Sequence, residues 1–310
     1  MAIRARKPRI GVIVNPESKE NRGRKTVEDQ LRKVVGGAGV VHAPQGLEAL
    51  EDAVQELHRE EVSVLAMNGG DGTVHKTVTA MVRAWGDDPL PMLANLRGGT
   101  NNTIARGLGI RGRPAEILEA VASRELPTKA RTLLCLDGQT YGFMLSNGLF
   151  DRYLRAYYEG EPSMFRAGVV LAQATASAVM GTAFAKHLTS AMPVTVTVDG
   201  EEWPDLGFMT VPAGTVDDIG LGFIAFPNAP KQLGKLEVLG IGCSAFNLAF
   251  QLPRFYRGLG PGRDDIRSAV CSELVLSSDT PIPCHLDGDA YEAGCRVVAT
   301  PGPIVSFLVP

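Results

Sequence analysis

The chain of 310 residues carries 31 lysines and arginines against 34 aspartates and glutamates, a formal net charge of −3, so no globally basic surface argues for nucleic acid. Its hydrophobic content of 45% is enough to fill two cores, which a chain of this length accommodates. Five cysteines (Cys135, Cys243, Cys271, Cys284 and Cys295) include no CxxC pair; they read as free thiols of a reducing cytoplasm, and Cys284, His285 and Cys295 lack the second close pair that a metal site would need.

The basic start, which includes Arg4, Arg6, Lys7 and Arg9, runs straight into a short apolar segment. It is not a signal peptide but a solvated tail able to touch anionic lipid. Ile10 to Val14 reads as a buried parallel strand. Val27, Leu31, Val34 and Val35 then recur at helical spacing, and Val40 and Val41 mark the next strand. Leu47, Leu50, Val54 and Leu57 form a second helical stripe, and Val62 to Met67 a third strand. Val74, Val78, Met81, Val82 and Trp85 give a helix, Met92 to Ala94 a strand, and Pro114, Ile117, Leu118 and Val121 a helix with proline in its first turn. This alternation predicts an α/β domain over residues 1–130, a doubly wound, Rossmann-like parallel sheet, to which a strand near 300–310 returns.

Beyond residue 131 the pattern becomes mainly antiparallel. Leu133 to Leu136, Asp137-Gly138 and Tyr141 to Leu145 read as a hairpin, and Val194 to Val198 before Asp199-Gly200 as another. A β-sandwich over 131–299 is expected, with helices near Gly168–Ala185 and Phe246–Tyr256. The first of these stretches reaches transmembrane length, but Gln173, Thr175, Ser177 and Thr182 make it a buried or partly exposed helix.

Two loops carry the chemistry. Asn68-Gly69-Gly70-Asp71-Gly72-Thr73 lies between a strand and a helix, where glycines let backbone approach a ligand and free N–H groups favour phosphate. Asp71 there suggests a bridging Mg²⁺, a ribose or a water network; as a bare turn, Thr73 would be its N-cap. Gly98-Gly99-Thr100-Asn101-Asn102 repeats the idea after the next strand. Both loops would meet at the carboxyl edge of the sheet, where α/β ligands bind. No GKS or GKT follows, so neither is a Walker loop.

These residues resemble the diacylglycerol kinase catalytic domain family, which includes sphingosine-type lipid kinases. Asn15-Pro16-Glu17-Ser18 is similar to its opening motif, Gly69-Gly70-Asp71-Gly72-Thr73 to its GGDGT loop, Gly99 to Arg106 to its GTxNDxAR segment, and Leu286-Asp287-Gly288-Asp289 to its DGE segment. The resemblance implies an ATP- and Mg²⁺-dependent kinase with a nucleotide domain and a β-sandwich acceptor domain. It implies nucleotide contacts from Asn15, His42, Gly69, Gly70, Asp71, Gly72, Thr73, Val74, His75, Gly99, Thr100, Asn101 and Asn102. Thr103 replaces the family's aspartate, and His75-Lys76 replaces its Asn-Glu. Lys231 to Glu237 lacks the paired aspartates of a structural Mg²⁺ site, so no resident metal site is expected.

Transfer to a lipid hydroxyl needs a base. Asp289 is the candidate, with Asp287 supporting metal or water and His285 as a further candidate; Glu201, in a literal Asp-Gly-Glu string, reads as an ordinary exposed hairpin. Aspartate is shorter than the family's glutamate by about 1.5 Å. Phe246, Leu248, Phe250, Leu252, Phe255 and Tyr256, with Arg254 and Arg257, suit a lip at the lipid surface or plain core. The expected function is a cytoplasmic lipid kinase acting transiently at the membrane surface on a diacylglycerol- or sphingoid-like hydroxyl. The competing readings are an NAD kinase and a nucleotide- or lipid-binding relative with weak catalysis. A homodimer is left open.

Overall fold

Strands buried on both faces need continuous apolar sequence, and the first pattern in the chain obeys this. β1 (Ile10–Val14) is buried at all five positions. The computed structural model describes residues 8–18, 21, 25–158 and 164–310; the basic start before Pro8 lies outside the described residues. Contacts divide the chain into one unit of Met1–Arg131 with Ile304–Pro310 and another of Thr132–Pro303.

In the first unit β1 sits between β2 (Gly39–His42) and β3 (Val64–Asn68), and β4 (Met92–Asn95) follows β3; every pairing is parallel. Phe307, near the end of the chain, pairs in parallel with Leu93. Between the strands run α1 (Lys25–Val35), α2 (Leu47–Arg59), α3 (Asp71–Trp85), α4 (Thr103–Leu108) and α5 (Pro114–Ser123). α1 packs on α5, and α2 on α3. Proline opens α5, and Glu116 accepts from the Arg113 N–H at 2.9 Å, closing its first turn. α3 begins three residues earlier than the apolar stripe implies. Its N-cap is Gly70, not Thr73; the glycine's extended backbone lets Gly70 O take the N–H groups of Thr73 and Val74.

The second unit holds two antiparallel groups of strands. β5 (Thr128–Leu136), which enters from the first unit, forms a hairpin with β6 (Thr140–Gly142). β7 (Met144–Asn147) then leaves that hairpin and joins the other group. The continuous strand expected over Tyr141–Leu145 is therefore broken at Phe143, whose side chain is fully buried. Next come β8 (Thr195–Val198), β9 (Glu201–Glu202), β10 (Ala213–Gly214), β11 (Leu236–Ile241), β12 (Ile266–Cys271), β13 (Leu274–Ser277), β14 (Cys284–Leu286), β15 (Asp289–Tyr291) and β16 (Arg296–Leu308). One group runs β12-β11-β10-β7-β14-β15, the other β16-β13-β8-β9 with β5 beside β16. A single apolar core draws on both, with Leu145, Leu236 and Leu286 meeting Val196, Leu274 and Val297.

The helices of this unit exceed the sequence reading. α6 (Leu149–Tyr158) was not anticipated; its apolar residues alternate with Asp151, Arg152 and Arg155. The run over Gly168–Ala185 is two helices, α7 (Met164–Met180) and α8 (Ala183–Leu188). Gly181 turns the chain at φ +66°, where only glycine is comfortable, and Thr182 caps α8 by accepting from the Ala185 N–H. Among the described residues no helix is long and apolar enough to cross a membrane. α9 (Ala245–Tyr256) starts at Ser244, whose hydroxyl accepts from the Asn247 N–H.

Candidate functional site

The carboxyl ends of the parallel strands bring the predicted loops together. His42 pairs with Ile13, Val14 with Asn68, and Met67 with Asn95, so the segments after β1, β3 and β4 leave the sheet on one edge. There the two glycine loops touch through bare backbone. A Cβ on Gly99 would lie 2.2 Å from Gly70 Cα, and one on Gly98 would lie 2.2 Å from Asn68 Oδ1. Only glycine permits that approach. The loops thus form one surface beside the first turn of α3.

Asn15 fixes this surface to β1. Its Nδ2 donates to Thr73 Oγ1 at 2.8 Å, and its N–H donates to Asn68 O at 2.9 Å. Asn21 Nδ2 donates to Asn15 O, and Asn68 Nδ2 donates to Asn21 Oδ1. Asn68 is fully buried, and among the described residues its Oδ1 finds no donor. A buried acceptor of this kind costs on the order of 1–3 kcal/mol unless something donates to it. Asn68 stands within the glycine motif but was given no role there, and Asn21 carries no sequence signal at all.

Asp71 has a role outside the three expected for it. Its carboxylate accepts from the N–H groups of Thr103 at 2.9 Å and Ile104 at 3.2 Å, capping α4 from across the two loops. Burial pushes its pKa up, while those amides, the Thr103 hydroxyl and Arg106 pull it down; the net direction is upward. Asn102 takes a left-handed backbone at φ +49°. It braces its own loop, accepting from the Gly99 N–H and donating to Gly99 O. Thr100 and Asn101 are exposed, whereas Thr73 and His75 are buried. Val74, expected among the ligand contacts, is a core residue with no exposed surface; its amide bonds to Gly70 O. His42 lies beside Glu56, with Nε2 3.9 Å from Oε2.

In the second unit Asp287-Gly288 is the tight turn between β14 and β15, with φ of +49° and +89°. It is the third such turn, after Asp137-Gly138 and Asp199-Gly200. All three aspartates hold a neighbouring segment of backbone: Asp137 accepts from Val298 N–H, Asp199 from Ser272 and Glu273 N–H, and Asp287 from Phe143 and Met144 N–H. Asp287 is therefore a brace for the turn. Asp289 is half-buried at the start of β15, opposite Leu286. Glu201 is exposed on the two-residue strand β9.

His285 is tied down rather than solvated. Its Nε2 lies 2.9 Å from Asp151 Oδ1, and Arg155 Nε donates to Asp151 Oδ2 at 2.9 Å. Burial works against the Asp151 charge, yet the bonds from Arg155 and His285 outweigh it and hold its pKa below the ordinary carboxylate value. Such a group stabilises the fold above its unfolded pKa and loses that contribution as pH falls through the folded one. Asp151→Asn should therefore flatten the drop in melting temperature below about pH 4, read by thermal melts across an acid series. Asp151 lies 134 residues from His285, so no sequence pattern pairs them. Cys284 is buried, its thiol pushed up to about 12 by that burial, and Cys295 is exposed.

The stretch compared with a structural Mg²⁺ site does not suit one. Gln232 and Leu233 supply no carboxylates. The buried Glu237 already accepts from the N–H groups of Asn228 at 2.7 Å and Ala229 at 2.9 Å and from Asn228 Nδ2 at 3.0 Å.

Compared with known proteins, residues 9–132 match the family model of the diacylglycerol kinase catalytic domain. No curated protein sequence matches the chain. Solved structures do. One, described as a diacylglycerol kinase from Bacillus anthracis str. Sterne, superposes with a TM-score of 0.68 at 17% identity, over 98% of this chain and 97% of that one. Another from that organism, a candidate diacylglycerol kinase by its description, gives 0.70 at 18% identity with the same coverage. At such identity the likeness is one of fold, a mixed α/β architecture with parallel and antiparallel sheets.

Proposed function

We propose, for a chain whose residues 9–132 belong to the diacylglycerol kinase catalytic domain family, that it is an ATP-dependent lipid kinase. It transfers a phosphoryl group to a hydroxyl of a diacylglycerol- or sphingoid-like lipid. The observation that carries this reading is the backbone contact of Gly70 with Gly99. That contact joins two N–H-rich loops into one cradle at the carboxyl edge of a parallel sheet, where anionic ligands bind.

The residues fit a nucleotide. The amides at the start of α3 and the exposed Thr100 and Asn101 would hold its phosphates. ATP with Mg²⁺ supplies the phosphoryl group and the charge neutralisation. The chain's own part is positioning and proton removal. Asn15 and Asp71 keep the two loops in register, the first through Thr73 and the second through the start of α4. In the Rossmann-like, doubly wound reading of the first unit, these braces shape the phosphate-binding surface without a Walker lysine. Asp289 takes the proton of the lipid hydroxyl, and Asp287 holds the turn that carries it. The protein works from the cytoplasm and meets its lipid at the membrane surface.

The test is transfer of label from γ-labelled ATP to lipids in mixed micelles, with NAD present as a soluble acceptor. Label on a lipid is the expected result. Label on NAD would replace the acceptor and keep the glycine loops. No transfer, with ATP still raising the melting temperature, would make the chain a binding relative without catalysis.

A further inference from the structure

Exposed apolar surface is spread unevenly over the described residues. Twelve large hydrophobic side chains are exposed; four of them lie on α7 and four between Phe246 and Leu259, on α9 and just beyond. α7 and α9 pack on each other. A surface helix ordinarily turns its polar face outward, and α7 does the reverse. Its exposed positions recur at spacings of three and four, from Phe165 through Val169, Ala172, Gln173 and Ala176 to Met180. Gln173 is the one polar residue on that stripe. Phe165 is 82% exposed and Met180 69%. On α9, Phe246 and Phe250 stand one turn apart with ring centroids 4.8 Å from each other. Phe255, grouped with them on sequence grounds, is buried in the core instead.

Charge on these helices is equally one-sided. Residues 164–193 and 238–262 contain Arg166, Lys186, Arg254 and Arg257 and no aspartate or glutamate, in a chain whose net charge is −3. Lys186 and Arg257 are exposed. Apolar and aromatic side chains beside cations, with acids excluded, match a bilayer interface that carries anionic headgroups. A second copy of the chain fits less well, because a two-fold dimer sets a patch against itself and would oppose like charges.

We propose that α7 and α9 form the face by which this protein docks on an anionic lipid surface, α7 lying in the interface. The idea rests on the lipid-kinase reading for its purpose, but its evidence is separate, and so is its test. Sedimentation with vesicles, without nucleotide, compares phosphatidylcholine alone with phosphatidylcholine mixed with phosphatidylglycerol. The full chain is expected on the mixed vesicles only. Phe165→Ser with Phe250→Ser should abolish binding while leaving the melting temperature unchanged. Lys186→Gln with Arg257→Gln should weaken binding by about fivefold for each cation. Equal binding to both vesicle types, no binding to either, or indifference to both double variants would overturn the proposal. So would a dimer, seen by light scattering, that the phenylalanine variants dissolve. Vesicle binding without any labelled lipid in the micelle assay would leave the docking face standing and remove the kinase reading alone.

Discussion

Asp289→Asn is expected to lower phosphate transfer to lipid by on the order of 10²–10⁴-fold, a loss larger than any accompanying change in melting temperature accounts for. The side chain sits half-buried at the start of β15, opposite Leu286. Asp287→Asn should behave in the opposite way. Its carboxylate accepts from two backbone N–H groups, and an amide placed there turns a donor toward donors. Leaving such groups unsatisfied costs about 1–3 kcal/mol, seen as a fall of roughly 2–4 °C per kcal/mol for a domain of this size. Calorimetry and the label assay on both variants separate base from brace. Full activity in Asp289→Asn, with loss in Asp287→Asn beyond its loss of stability, would move the base to Asp287. Asp289→Glu adds a third reading. It carries the charge about 1.5 Å further, and a misplacement of about 1 Å can cost on the order of 10²-fold. Faster transfer by the glutamate variant than by the natural chain would mean that catalysis here is attenuated by side-chain length.

The parallel strands, the helices between them and the glycine loops were legible because each is written locally. β1 and β3 are buried throughout and so appear as unbroken apolar runs. The loops are glycine where backbone meets backbone, and the Asp-Gly pairs fall where φ must be positive. What was not legible depends on partners distant in sequence. That Asp71 caps α4 is visible only once Thr103 and Ile104 are seen to donate to it. The bond of His285 to Asp151, on an unanticipated helix, is likewise invisible in the sequence. α7 was misjudged in extent because a glycine break looks, in a run of small residues, like one more small residue. Its inverted amphipathicity could not be read either. A stripe of apolar residues gives the same periodicity whether it faces the core or the solvent, and the distinction lies in what packs against the other side.

Gly99→Ala and Gly70→Ala alter the same contact and should have unequal effects. A Cβ on Gly99 would sit 2.2 Å from Gly70 Cα and 2.8 Å from Gly70 N, both backbone atoms that cannot rotate away. Overpacking of this kind costs about 1–3 kcal/mol or more, and it can be relieved only by parting the two loops. A Cβ on Gly70 meets nothing closer than Gly99 Cα at 3.5 Å, an ordinary contact. Its φ of −88° and ψ of −175° suit any residue. Alanine there loses only the modest preference of an N-cap for other residues, about 1 kcal/mol at most. The loops hold a nucleotide only when joined, so ATP binding should follow the same division. At a hundredfold excess over its dissociation constant a ligand stabilises its site by about 2.7 kcal/mol. The rise in melting temperature with ATP should therefore survive Gly70→Ala and vanish in Gly99→Ala. Differential scanning fluorimetry of the two variants, with and without ATP, measures both effects at once. An ATP-dependent rise preserved in Gly99→Ala would mean that the nucleotide does not bridge the loops. Equal destabilisation by the two alanines would mean that the backbone contact is not the one that holds them together.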